Sequence, residues 1–197
     1  MKQLFEIANM WLEKGFSVLP INYRSKQPDS KKLPDGHWEE FQNRRPTHTE
    51  LKQFFPGNLN NIGLIIGNGL VIIDFDVQEV FDYWYKLFPI QTYMVKTQRG
   101  VHVYIKTKEP AKNYHSELLD IKAERGYILI PPSVHPSGYV YQVYKDYPII
   151  EVEKLEDVLP ESFTPEPEKV CLEVPQYKRG DQDIWDLVDN PIPDNAV

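Results

Sequence analysis

A chain of 197 residues, 41% hydrophobic and 26% charged, is long enough for a globular domain with a real core, and no apolar run of about 18 residues marks a membrane span. Cys171 is its single cysteine, which excludes an internal disulfide and a cysteine-rich zinc site and fits a reducing cytoplasm, the expected location. The net charge of -7 argues against a nucleic-acid binder until its distribution is read. Residues 151–197 hold thirteen Asp/Glu against four Lys/Arg, whereas residues 1–150 hold sixteen against eighteen, so a mildly basic body compatible with phosphate binding precedes an acidic tail.

In chain order, Leu4, Ile7, Ala8, Trp11 and Leu12 recur at helical spacing and predict an amphipathic helix over residues 3–14, ended by Gly15. Its acidic residues and the lack of a small-residue cleavage site do not read as a signal peptide. Residues 16–21 are expected as a short strand, and 22–46, rich in Lys, Pro, Asp and Gly, as a long functional or mobile loop. Thr47, with Glu50 three residues on, forms a capping box for a helix that stops at Pro56-Gly57. Two apolar runs, 62–66 and 70–77, flank Gly67-Asn68-Gly69 and predict strands joined by a tight turn. A helix is expected at 78–88, presenting Val80, Phe81, Trp84 and Leu87. Strands are expected at 93–98, 101–106, 118–124, 127–130 and 139–144, the last with Tyr139 and Tyr141 as structural side chains. Short helices are expected near Leu155 and at 185–188. The chain thus divides into a body, 1–150, and an acidic, Pro-rich extension or linker, 151–197.

Side chains alternate across a strand, so parity assigns faces. Val71, Ile73 and Phe75 share one face, and Asp74 and Asp76 the other. Val101, Val103 and Ile105 oppose His102, Tyr104 and Lys106. Leu119, Ile121 and Ala123 oppose Asp120, Lys122 and Glu124. One sheet with helices behind it and its other face open accounts for all three strands. Asp74 and Asp76 lie roughly 6.5–7 Å apart along their strand. Carboxylates that close repel and favour a shared cation, for which Mg2+ or Mn2+ suits an all-oxygen site. An Asp-x-Asp at a strand end also arises by chance, and His102 or Asp120 alone would prove nothing; the common face of the three strands carries the argument.

The same residues carry a family resemblance. Val71-Ile72-Ile73-Asp74-Phe75-Asp76, Thr97-Gln98-Arg99-Gly100-Val101-His102-Val103-Tyr104, Leu119-Asp120 and the run from Gly126 through Pro131-Pro132-Ser133-Val134-His135-Pro136-Ser137-Gly138 to Tyr141 stand in the order of four motifs. They resemble the primase–polymerase domain of archaeal plasmid, phage and prophage replication proteins, in the archaeo-eukaryotic primase superfamily. Ala8, Gly15, Phe16, Pro20, Lys26, Pro28 and Trp38, and the segment Asn61 to Gly67, are similar to that family's opening. The resemblance covers roughly residues 5–145. This chain departs from some members in having Arg99-Gly100-Val101 where they carry a second glycine before the histidine, and in lacking a cysteine-bearing insertion.

The resemblance implies an α+β fold: an RRM-like, antiparallel-rich catalytic sheet with helices on one face, plus a small N-terminal αβ unit. It implies a DNA primase or polymerase in which Asp74, Asp76 and Asp120 hold two Mg2+ or Mn2+ ions, nucleoside triphosphates are joined on a single-stranded DNA template, and pyrophosphate leaves. His102 is expected to donate to the triphosphate. Ser133 and His135 are expected to contact it, or else only to order their loop. Arg99, Lys122 and Arg125 are candidate phosphate cations or merely solvated charges; Lys26, Lys31 and Lys32 are candidates for the template on the same terms. Trp38 and Tyr104 could stack on bases, with Trp38 better suited to the core. A helicase domain or protein is the implied partner, in replication of a mobile element or phage. Two other readings stay open: a non-catalytic module for single-stranded nucleic acid, which would want aromatics rather than acids on the open face, and a divalent-metal nuclease. A two-histidine relaxase is excluded because residue 104 is Tyr.

Overall fold

The apolar spacing near the N-terminus produces a helix, α1 (Leu4–Glu13), that buries Leu4, Ala8 and Trp11 on one face. The structure, a computed structural model, describes residues 3–160 and Phe163, all within a compact unit spanning Met1–Thr164; the helix expected at 185–188 lies outside them. After β1 (Val18–Ile21) comes a long segment with only short 3-10 turns, then α2 (His48–Phe54). Thr47 caps α2 as expected. Its hydroxyl accepts from the Glu50 N–H at 3.2 Å, and the Glu50 carboxylate accepts from the Thr47 N–H at 2.7 Å.

The Glu50 carboxylate also takes two hydrogen bonds from Arg44, at 2.6 and 2.9 Å. Those bonds, against the opposing effect of burial, hold its pKa down at about 2 instead of 4.5. A carboxyl with a depressed folded-state pKa contributes stability that is present above its unfolded value and is lost as pH falls through the folded one. Thr47→Ala should therefore cost about 1 kcal/mol at neutral pH. The stability deficit of Glu50→Gln, measured by urea unfolding, should be full above pH 4.5 and fade toward pH 2.

The remaining elements are β2 (Asn61–Ile66), β3 (Leu70–Phe75), α3 (Gln78–Leu87), β4 (Met94–Lys96), β5 (Val101–Thr107), β6 (Tyr114–His115), β7 (Leu119–Lys122), β8 (Gly126–Ile130), β9 (Gln142–Lys145) and β10 (Ile150–Val152). They form two sheets. The smaller has the order β1-β2-β8; the larger has the order β6-β7-β3-β5-β4-β9, with β10 paired in parallel to the end of β5. All other pairings are antiparallel, and the fold is α+β.

The runs on either side of Gly67-Asn68-Gly69 are strands joined by a tight turn, as expected, and they enter different sheets: β2 lies in the small sheet and β3 in the large one. The turn carries the chain between sheets, with φ of 138°, 53° and 82° at its three residues; a Cβ on Gly69 would lie 2.8 Å from the Thr107 carbonyl oxygen. One expectation needs correction: the acid-bearing face of the large sheet is not open along its length. Leu70, Ile72 and Tyr104, which share that face, are fully buried in one core with α1, α2 and the small sheet. Trp11, Tyr93 and Tyr104 meet there with ring centroids 5.1–6.3 Å apart. The opposite face packs Val71, Ile73, Phe75, Val101, Val103 and Ile105 against Phe81 and Trp84 of α3. The chain past residue 150 completes this second core: β10 extends the sheet, Leu155, Val158 and Leu159 are buried, and Trp84 Nε1 donates to the Val158 carbonyl at 2.7 Å. The helix expected near Leu155 is a single 3-10 turn, Leu155–Asp157.

Candidate active site

Parity places Asp74, His102 and Asp120 on one face, and register brings them into one line. Asp74 stands directly opposite His102 on β5 and directly opposite Asp120 on β7. The three occupy the end of the sheet that the N-terminal unit does not cover: Asp74, Asp120 and the nearby Asp76 keep 16%, 21% and 30% of their side-chain surface. Asp76 lies just beyond β3, where its N–H donates to the Leu118 carbonyl at 3.1 Å and its carboxylate is 3.5 Å from the Arg99 guanidinium.

The turn before β5 explains the Thr-x-x-Gly spacing. Gly100 N–H donates to Thr97 Oγ1 at 2.9 Å, and Thr97 N–H donates to the Gly100 carbonyl at 3.0 Å. Gly100 packs so closely against β3 that a Cβ there would sit 1.9 Å from the Phe75 carbonyl oxygen. This close approach seats His102 beside Asp74.

The row is tied together by a chain of polar contacts. His102 Nε2 is 3.2 Å from Asp74 Oδ1. Lys122 Nζ donates to Asp74 Oδ2 at 2.7 Å and to Asp120 Oδ2 at 3.0 Å. Burial alone would raise the Asp74 carboxyl, but His102 and Lys122 outweigh it and hold the group well below the usual carboxylate range. Burial likewise works against the Lys122 ammonium, and Asp74 foremost, with Asp120, raises it above its ordinary value. Both groups are therefore ionised at neutral pH. Tyr141 caps the inner end of the row, its ring 5.8 Å from that of His102. Burial, then the charges of Asp74 and Asp76, push its hydroxyl up to about 12.

The expected residues do not all arrive in their expected roles. Only 5% of the His102 side chain is exposed, and its Nε2 faces Asp74, so in this structure it braces the acid. Lys122 is likewise committed to the two carboxylates. Ser133 is buried and serves the backbone of β2, accepting from the Ile62 N–H at 2.9 Å and donating to the Ile62 carbonyl at 3.2 Å; it is not a triphosphate contact. Arg125 lines a cavity of about 420 Å3 with Gly67 and Thr107, at the other end of the strands from Asp74, and is no part of the site. Tyr104 is fully buried and cannot stack on a base, while Trp38 packs edge-on to Tyr127 at 5.0 Å against the core. Tyr139 and Tyr141 precede β9 and sit beside the row, not in a strand.

His135 does face the mouth of the site. Its ring is 6.2 Å from that of Tyr141, and its Nδ1 accepts from the Ser137 N–H at 3.2 Å, which leaves Nε2 as the N–H that can donate to an anion. Partial burial, then the charges of Lys26 and Arg99 at the same rim, lower its pKa. Lys26 is fixed by a 2.9 Å bond from Tyr127 Oη to its carbonyl. Lys32 is bound to Asn60 and is 3.8 Å from Asp29, whereas Lys31 is exposed.

Two residues were not anticipated. Buried Asn61 clamps the rim, donating from Nδ2 to the Ser25 and Val134 carbonyls at 3.1 and 2.8 Å and accepting from the Val134 N–H at 2.8 Å. His115, on β6, pairs with Asp120. An asparagine at the start of an apolar strand was a visible signal for the first; nothing in the local sequence marks the second.

The donor chemistry suits a divalent cation: three partly exposed carboxylates offer hard oxygen ligands, the kind Mg2+ and Mn2+ prefer. Among the described residues no three acids or histidines stand together as a ready-made cage. The Lys122 ammonium lies between Asp74 and Asp120 and takes one oxygen of each, so it is the group that must yield to a metal there.

The large sheet thus carries an acid row, Asp120, Asp74 and the nearby Asp76, on the face where His102 and Lys122 also lie. The chain belongs to the family described as bifunctional DNA primase/polymerase, N-terminal, whose model matches residues 8–158. Membership implies DNA and nucleotide substrates and the divalent-metal dependence general to such enzymes. A search of curated proteins finds no match. Among the described residues no helix is long and apolar enough to cross a membrane.

Proposed function

We propose that this chain is a DNA-dependent primase or polymerase that extends a strand on single-stranded DNA by two-metal nucleotidyl transfer, with Asp74, Asp76 and Asp120 as the ligands of Mg2+ or Mn2+. The alignment of Asp120, Asp74 and His102 across three adjacent strands is the observation that carries the reading. Bound there, the ions would activate the attacking hydroxyl and neutralise the leaving pyrophosphate. The 3′-hydroxyl gives up its proton to solvent as its oxygen bonds to the α-phosphorus of the incoming nucleotide, the bond from that phosphorus to the bridging oxygen breaks, and pyrophosphate departs. His102 holds Asp74 in orientation through Oδ1. Lys122, released from the carboxylates, supplies a cation to the phosphates. His135 Nε2–H, Arg99 and Lys26 receive the triphosphate at the rim, and Lys31 and Lys32 lie along the approach of the template. Catalysis is then mostly positioning and charge neutralisation.

The cytoplasmic replication of a mobile element or phage, with a helicase domain or protein as partner, is the setting this activity suggests. The catalytic role is assigned to residues 1–150 together with the stretch through Leu159 that closes the second core, and the role of extension or linker to the residues beyond. A binding module without catalysis fits less well, because Tyr104, the aromatic on the acid face, is buried.

The test is primer extension on a single-stranded template with all nucleotides and Mg2+ or Mn2+, beside an Asp74→Ala/Asp76→Ala variant. Extension by wild type and its loss in the variant are expected, and product in a primer-free lane would add priming. Strand cleavage without extension would move the assignment to a nuclease.

A further inference from the structure

β6 is only two residues long, yet it is docked at both ends. On one side Asn113 Oδ1 accepts from the Ala123 and Glu124 N–H groups at 2.8 and 3.1 Å, and its Nδ2 donates to the Glu124 carbonyl at 3.1 Å. On the other, Ser116 Oγ donates to the Leu119 carbonyl at 2.9 Å and accepts from the N–H groups of Leu118 and Leu119 at 3.3 and 3.2 Å. The pairing register sets His115 directly opposite Asp120, so the row across the sheet gains a fourth member. His115 Nδ1 lies 2.5 Å from Asp120 Oδ1.

The outcome is a symmetrical chain. Each acid has an imidazole nitrogen on one oxygen, His102 for Asp74 and His115 for Asp120, and the two share the Lys122 ammonium on the other. A carboxylate held at one oxygen by an N–H cannot rotate freely, and the oxygen left over is fixed in direction. Partners of this kind are known to tune metal sites, and their loss typically weakens metal affinity 10–100-fold.

We propose that His115 is a positioning residue for Asp120. Its Nδ1–H holds Oδ1 and so aims Oδ2 at Asp74, where the two acids converge on a shared cation. This rests on the reading of Asp74 and Asp120 as a metal-binding pair. A merely structural role would look different. The His115 side chain is 84% exposed, and an exposed ion pair adds little to folding stability, so its removal should leave the melting temperature in EDTA unchanged.

The experiment is Mn2+ uptake by the full chain, followed as loss of the free-ion electron paramagnetic resonance signal, for wild type, His115→Ala and His115→Asn, with melting curves in EDTA alongside. About tenfold weaker uptake is expected in His115→Ala, with most of the affinity recovered in His115→Asn, which keeps an N–H near the Nδ1 position. Uptake by His115→Ala equal to wild type would overturn the inference alone. A drop matched by a fall in melting temperature, or one that asparagine fails to reverse, would overturn it in favour of a structural role for the β6 hairpin. A wild type that takes up no Mn2+ would overturn both the inference and the metal reading beneath it.

Discussion

Gly100→Ala is expected to lose at least about 3 kcal/mol of folding stability, at or beyond the upper end of the usual cost of overpacking, and to lose the activity with it. The methyl group would fall 1.9 Å from the Phe75 carbonyl oxygen and 2.9 Å from its carbon. Both neighbours are backbone atoms at the end of β3, so no side-chain rotation relieves the clash. β3 and β5 must separate, and their separation moves Phe75, the residue between Asp74 and Asp76. Urea unfolding of the variant beside wild type, with primer extension on the fraction that stays folded, tests this. A stable, active Gly100→Ala protein would mean that β3 and β5 are not in contact at this point.

The second large effect concerns Lys122. Lys122→Met removes the cation from between Asp74 and Asp120 and leaves two carboxylates facing each other on adjacent strands. Stripping one partner from a buried ion pair costs 3–5 kcal/mol. The three side chains here keep between 16% and 33% of their surface, so a loss of about 1–3 kcal/mol is expected in EDTA. The vacated oxygens should then bind Mn2+ more tightly than in wild type, because no ammonium competes for them. By linkage, the metal should raise the melting temperature of the variant by more than that of wild type. Thermal melts with and without Mn2+ measure both effects. Equal metal stabilisation of the two proteins would show that Lys122 and the ion do not share ligand oxygens.

How much of this was legible in the sequence follows from the range of each signal. Capping at Thr47 and Glu50, the amphipathic stripe of α1 and the alternation along β3, β5 and β7 are local patterns and appear at the expected residues; in α3 Phe81 and Trp84 are buried as expected, whereas Leu87, at the last turn, is exposed. Parity says which face a side chain takes but not which residue stands opposite, so the alignment of Asp120, Asp74 and His102 came only from the register. The turn at Gly67–Gly69 specifies a reversal and is silent about the partners of its flanking strands. The covered half of the acid face did leave a trace: Leu70 and Ile72 share parity with Asp74, so β3 is apolar on both sides, as strands between two layers are. β6 and β10 were too short to carry any period. Ser133 and His135 looked alike as loop residues after Pro131-Pro132, and only the three-dimensional path sends the first to Ile62 and the second to the rim.

The route of the chain between the two sheets bears on how the protein is made. It lays down β1 and β2, leaves for β3 through β7, returns with β8, and leaves again for β9 and β10. The small sheet therefore waits for Ile130 to pair with Ile62, long after β2 has left the ribosome, and until then the β2 edge that β8 will cover lies unpaired. Closing so wide a loop before any reward slows folding and raises contact order. A break in the chain between β7 and β8 divides both sheets at once, whereas one between β2 and β3 divides only the small sheet and leaves every strand of the large one on its C-terminal side.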